Sequence, residues 1–321
     1  MKRTGTIGIC SLLIALMTLS SPAIALGDGQ GQSGLFGSIR LGGGVVNTRP
    51  SGLEVLDNNE KRDKLGGRGS RRSQGLMLLS ADLGYILKGN GTTLMAAINT
   101  EGPFSLALRH EIVGVGELTY SALYEKKEVW KNPYLVGTNR SRTDAESFGG
   151  AVVWEQVFGT GVRFKLEHQK IDIADDLIGQ AEPMLRRDGT DTTMGLGYIW
   201  DLAAGGVVSV DFSHIWLKRD GAGNKGCAYL AEIKHVLGVG RLTFLTHVEL
   251  KNAHFNGVHP VFNKKRKESA YSFSEMVTFA APFGYTNWSV FGIAAIGESD
   301  ANIDFFDSSM LFSGAGIGYR F

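Results

Sequence analysis

The sequence predicts an all-β chain, closed into a transmembrane antiparallel up-and-down β-barrel of about 14 strands with short periplasmic turns and long outer loops. Three observations carry the prediction: apolar residues recur with a period of two, connection lengths alternate with strand parity, and the chain ends on an aromatic strand. Glycine supplies 44 of the 321 residues, nearly double the usual ~7%, as many tight turns and small strand positions require.

The period is visible from Leu35 onward. Leu35, Ile39, Leu41 and Val45 share one face and Ser38 and Arg40 the other; Met77, Leu79, Leu83 and Tyr85 oppose Ser80 and Asp82. Such segments lie near 35–47, 75–87, 92–99, 104–112, 117–127, 147–158, 162–172, 191–201, 206–217, 227–236, 241–251, 270–280, 287–297 and 308–321. Short turns follow the even strands, among them Lys88-Gly89-Asn90-Gly91, Gly159-Thr160-Gly161 and Gly238-Val239-Gly240. The connections after odd strands (48–74, 128–146, 173–190, 218–226, 252–269 and 298–307) are long and polar, except the short one at Glu101-Gly102-Pro103. A soluble sandwich has no reason to sort loops by parity, whereas a barrel assembled from inside a membrane does. About eleven residues tilted ~40° rise roughly 28 Å, which matches an apolar band, and only a closed sheet satisfies its backbone in lipid.

Composition removes other classes. Charge is balanced, 33 Lys+Arg against 32 Asp+Glu, so bulk attraction to nucleic acid is excluded. Two cysteines are too few for a disulfide scaffold or a cysteine-ligated zinc cluster, and 43% hydrophobic content excludes disorder. Met1-Lys2-Arg3, an apolar run near Ile7–Leu19 and Ala23-Ile24-Ala25 form a secretory signal peptide over residues 1–25, leaving 26–321 as one barrel domain. The mature chain then carries 31 bases against 32 acids, a net charge of −1, and keeps only Cys227. No later stretch approaches 18 apolar residues, so no membrane helix is expected.

Trp154, Phe158, Trp200, Phe279, Trp288, Tyr319 and Phe321 fall near the short turns, and Phe104, Tyr124, Trp216 and Phe273 near the outer ends, as two interfacial girdles. The terminal Tyr319 and Phe321 form an expected assembly signal, read by the barrel assembly machinery. The opposite strand face carries Arg40, Asp82, Arg109, Glu111, Glu125, Lys127, Glu155, Arg163, Lys165, Glu167, Asp211, Glu232, Lys234, Glu249, Lys251 and Arg320, equal numbers of acids and bases. An Arg or Lys facing lipid near the midplane costs ~2–4 kcal/mol. These residues therefore line a wet or ion-paired interior, as a pore lining or as a stiffening lattice. Fourteen strands give a backbone radius of roughly 14 Å, leaving room for water unless a loop folds in; 48–74 and 128–146 are the loops best placed to do so. Both 48–74 and 252–269 are net basic and suited to lipopolysaccharide phosphates or anionic solutes.

Signals of catalysis are absent. There is no Gly-x-Ser-x-Gly and no lipase-type His-Ser run, and His247, His254 and His259 lack a convincing metal spacing. His110, His168, His214 and His235 fall on the apolar phase. No catalytic residue, metal or cofactor is expected.

Glu128-Val129-Trp130-Lys131-Asn132-Pro133-Tyr134, Leu185-Arg186-Arg187-Asp188-Gly189 and Phe36-Gly37-Ser38-Ile39-Arg40-Leu41-Gly42 resemble an uncharacterised gammaproteobacterial family catalogued as a domain of unknown function (DUF2860-like). The resemblance covers nearly the whole mature chain and implies an outer-membrane barrel; it supplies no activity and no site residues. The expectation is a porin-like outer-membrane channel for small hydrophilic solutes, anionic ones among them, in a Gram-negative cell, in contact with outer-membrane lipid and lipopolysaccharide. The alternatives are a closed-lumen structural or surface-interaction barrel and, behind it, a surface hydrolase.

Overall fold

Glycines and small residues near both chain ends let the first strand lie against the last, and the sheet closes on itself. A computed structural model describes residues 33–57, 59–88, 91–99, 102–202 and 205–321. The signal peptide expected at 1–25 lies outside the described residues, as do parts of the turns near 89–90 and 203–204.

Fourteen antiparallel strands run in chain order around one closed barrel. They are β1 (Gly34–Arg49), β2 (Arg72–Leu87), β3 (Thr92–Asn99), β4 (Phe104–Ile112), β5 (Gly116–Trp130), β6 (Arg142–Glu155), β7 (Val162–Ile173), β8 (Gly189–Leu202), β9 (Gly206–Arg219), β10 (Gly226–Val239), β11 (Leu242–His259), β12 (Lys264–Ala280), β13 (Trp288–Ala301) and β14 (Ser308–Arg320). The seam pairs Ser38–Arg49 with Ser309–Arg320. It is locked by reciprocal backbone hydrogen bonds in which the Gly37 N–H donates to the Phe321 carbonyl (3.0 Å) and the Phe321 N–H to Gly37 (3.1 Å).

The strand number and parity match the sequence reading; the outer ends do not stop where apolar residues stop. β11 and β12 run on as a ribbon through most of 252–269, read from sequence as a loop, with one irregularity between His254 and Val258. The physical reason is that beyond the apolar band a strand needs no greasy face, so its period loses the hydrophobic contrast that marks it.

The outward phase carries the exposed large apolar residues, such as Leu35, Ile39, Met77, Leu94, Leu166, Met194, Phe212 and Ile317. Histidines of this phase are partnered across strands: His110 with the Thr92 hydroxyl at 2.8 Å and His168 with Thr192 at 2.9 Å. Each hydrogen bond lowers the cost of a polar ring on a greasy surface.

Candidate functional site: the lumen and its cap

All the charged residues predicted for the interior fall on the inward phase of their strands. Thirteen of the sixteen make a charged wall over β4–β11, while Arg40 on β1, Asp82 on β2 and Arg320 on β14 stand apart from it. Arg163 on β7 binds Glu155 at 3.1 Å and also Asp211 on β9. The second contact skips β8, where a Cβ on Gly197 would collide with the Asp211 carboxylate. Arg109 pairs with Glu117; Lys165 meets Glu167 at 2.8 Å, Lys127 meets Glu125 at 3.6 Å, and Lys234 meets Glu232 at 3.4 Å. The Ser38 hydroxyl donates to Asp82 at 2.6 Å. Among the described residues Arg40, Glu111, Glu249, Lys251 and Arg320 make no ion pair within 4.0 Å. The wall is thus partly a lattice and partly free charge.

The rest of the inner face differs from the wholly polar lining expected. Over β13, β14, β1 and β2, apart from Ser38, Arg40, Asp82 and Arg320, it carries an apolar patch: Phe291, Ile293, Phe312, Met310, Val46 and Leu78 form one buried cluster. Glycines make it possible. A Cβ on Gly316 would stand 2.5 Å from the Phe291 ring and one on Gly44 2.6 Å from Phe312, so both rings occupy space that a side chain at those glycines would fill. Sequence reasoning missed this patch because these strands are apolar or small on both faces.

The histidines do not converge. His254 is exposed, His247 is buried in the lumen 3.2 Å from Glu232, and His259 is buried in the loops. Glu232, His247 and Glu249 bring three donor atoms within 4.8 Å of one another, a geometry a cation could use. The Lys234 ammonium at 3.4 Å from Glu232 already supplies positive charge there.

The long loops cover the mouth at their end of the barrel. Tyr134, after β5, packs its ring 5.1 Å from His259 at the tip of β11 and 5.0 Å from Phe305, after β13. β5 and β11 are six strands apart in a ring of fourteen, so these contacts cross the mouth. Phe262 and Phe306 complete the aromatic cluster, and Phe305 is wholly buried. The Val261 N–H donates to His259 Nδ1 (3.3 Å), which leaves the proton on Nε2 to be donated to the Tyr134 hydroxyl at 2.8 Å. Burial, and then the Arg266 charge, hold His259 down at about 4.

Loop 50–71 is pinned beneath this cluster. Arg140 donates to the carbonyls of Gly52 (2.9 Å), Pro133 (3.2 Å), Glu60 (3.2 Å) and Asn59, and lies 4.3 Å over the Trp130 ring. The Trp130 indole N–H donates to the Glu54 carbonyl at 2.9 Å. Leu56 joins the apolar lumen cluster, so this loop closes over the interior from the side of β1 and β2. Burial raises the Glu54 carboxyl to about 7, opposed only partly by hydrogen bonds from Ser51 and Ser308. The sequence singled out 48–74 and 128–146 as plugging loops, but nothing in it identified Glu54 or Arg140. The quoted motifs now have structural roles. Trp130, Pro133 and Tyr134 build the cap, Arg187 ties Asp176 to the Trp130 carbonyl, and Gly37 closes the seam.

A family model described as "Protein of unknown function (DUF2860)" matches residues 34–320. No curated protein matches the sequence. Similar solved structures include an anion-selective porin from Comamonas acidovorans, 10% identical, covering 90% of this chain and 99% of that one at a TM-score of 0.42. The CymD monoaromatic hydrocarbon channel is 10% identical, with 96% and 93% covered and a TM-score of 0.49. OmpT, an outer membrane protein of Vibrio cholerae, is 8% identical, with 92% and 99% covered and a TM-score of 0.42.

Proposed function

Because the chain belongs to the DUF2860 family, whose description names no activity, we propose from the barrel's own geometry that it is a gated outer-membrane channel for small hydrophilic solutes. The single observation that carries the reading is the charged wall over β4–β11, with inward charges left outside any ion pair. A lattice built only for stiffness would pair them. The net-basic loops 48–74 and 252–269 favour anionic solutes at the mouth and lipopolysaccharide phosphates around it. In this reading the long loops face outward, residues 1–25 direct export, and the strand ending in Tyr319 and Phe321 engages the assembly machinery.

The packed aromatic cap favours a second reading, a structural or surface-interaction barrel with a closed lumen. Planar-bilayer recording of the purified protein separates the two. The channel reading expects discrete conductance steps and a reversal potential displaced toward anions in a salt gradient. Silence across pH and salt supports the closed barrel.

A further inference from the structure

The wall of the barrel is not of even height. β3 and β4 hold 8 and 9 residues, while β2 and β5 on either side hold 16 and 15. The β2–β3 ladder starts at Ser80, and the β4–β5 ladder ends where Phe104 meets Tyr124. Among the described residues, Arg72–Met77 of β2 and Lys127–Trp130 of β5 have no ladder partner on the sides that face each other. The short hairpin rises roughly 20–25 Å, about the height of an apolar band, whereas its neighbours rise well above it. The result is a notch in the wall at the outer interface, level with the aromatic pair Phe104 and Tyr124.

Three features converge on this sector. The first is a lipid-facing trough of about 810 Å³ across β2–β7, floored by Ala96, Ala122 and Gly150 and flanked by Leu94, Tyr120 and Leu166. That volume falls within the range of a small-molecule site, enough for a single apolar tail. The second is loop 50–71, which bridges the notch: Leu56 sits on the apolar lumen patch beside Leu78 of β2, while Asp57 and Glu60 bind Arg142, on the strand paired to β5, at 3.2 and 3.1 Å. The third is charge. Among the described residues, Arg71 and Arg72 at the β2 margin make no ion pair within 4.0 Å, and Lys127 at the β5 margin makes only a long one of 3.6 Å. The apolar lumen patch beneath loop 50–71 offers a surface to an apolar tail, and the axial mouth is crossed by packed aromatic rings.

We propose that the β2–β5 notch is a lateral entry site for a single-chain anionic amphiphile, whose tail lies in the outer trough and whose head passes the Arg71, Arg72 and Lys127 margins when loop 50–71 lifts. The inward step rests on the channel reading; binding in the trough does not.

The test uses full-length mature protein in phosphatidylcholine nanodiscs and liposomes, with dansyl-undecanoate as the ligand. Binding is expected to weaken at least ~10-fold in Ala122→Trp and in Ala96→Trp, which fill the trough, with potassium chloride conductance unchanged, and to weaken as much in Arg71→Gln/Arg72→Gln. In a Cys227→Ser background, Asp57→Cys and Arg142→Cys joined by a short bis-maleimide, which adds each thiol across a maleimide double bond, lock the loop. The lock is expected to stop delivery into the liposome interior and to leave binding intact. Binding that is indifferent to both trough variants overturns the proposal. So does delivery that persists through the lock, or a lock that abolishes salt conductance equally, which would place the loop on an axial path. Trough-dependent binding in a protein that conducts no ions would sink the channel reading and keep the binding site.

Discussion

Replacing Arg140 by alanine isolates what holds the cap shut. The guanidinium is 4% exposed and donates to four carbonyls from two different loops, with the Trp130 ring beneath it. A buried acceptor left unpaired costs roughly 1–3 kcal/mol, and a desolvated cation–π contact about 1–2 kcal/mol. The parts do not add, because water enters the vacated volume and the loops relax. A net loss of about 4 kcal/mol in cap stability is the expected scale, since breaking a buried charged network costs ~3–5 kcal/mol. At 1.36 kcal/mol per decade that is a roughly 10³-fold rise in the opening constant. Two amides report it. Gly137 N–H donates to the Arg62 carbonyl at 2.8 Å and Gly52 N–H to Phe305 at 2.7 Å, so both exchange only when the loops part. Their hydrogen exchange is expected to accelerate ~10³-fold, with strand amides such as those of β8 unchanged and brief conductance bursts in bilayers. Arg140→Lys, one donor head instead of a fork, should fall between. Exchange at Gly52 and Gly137 within tenfold of wild type would refute the idea that Arg140 is the keystone.

Four further outcomes follow from the same geometry. Docking of loop 50–71 is favoured when Glu54 is neutral. With its docked value raised from 4.5 to about 7, that contribution is full below pH 4.5 and is lost as pH rises toward 7, an effect of order 3 kcal/mol that Glu54→Gln removes from an exchange-versus-pH profile. His259 acts oppositely: held at about 4, its contribution is present above pH 6.5 and is lost as pH falls toward 4, so the cap is tightest in mildly acidic solution. Phe312→Ala removes a fully buried ring from the lumen patch and should lower barrel stability by about 3–5 kcal/mol in reversible denaturant unfolding from vesicles. Arg163→Ala frees Glu155 and Asp211 from their shared cation and should move the reversal potential toward cations; an unmoved potential would mean that this cluster lies off the ion path.

Legibility varied along the chain for identifiable reasons. β7 announces itself because Val162, Phe164 and Leu166 alternate with Arg163, Lys165 and Glu167, and lipid on one side with water on the other demands that contrast. β13 hides its inward face because Phe291 and Ile293 point in while Val290 and Ile296 point out, leaving no contrast to read. The cap hides more deeply, since Arg140 and Glu54 look like ordinary loop residues and become buried only when segments 76 and 80 positions apart meet.

The sequence by itself determined the closed fourteen-strand ring and the parity of its loops. Those follow from a solvent boundary that every strand meets locally. The tertiary structure decided what the interior is. The seating of Phe291 and Phe312 against glycine, the bridge from Arg163 over Gly197 to Asp211, and the loops locked across the mouth all depend on register and curvature. These are properties of neighbours that closure brings together, and a one-dimensional pattern does not encode them.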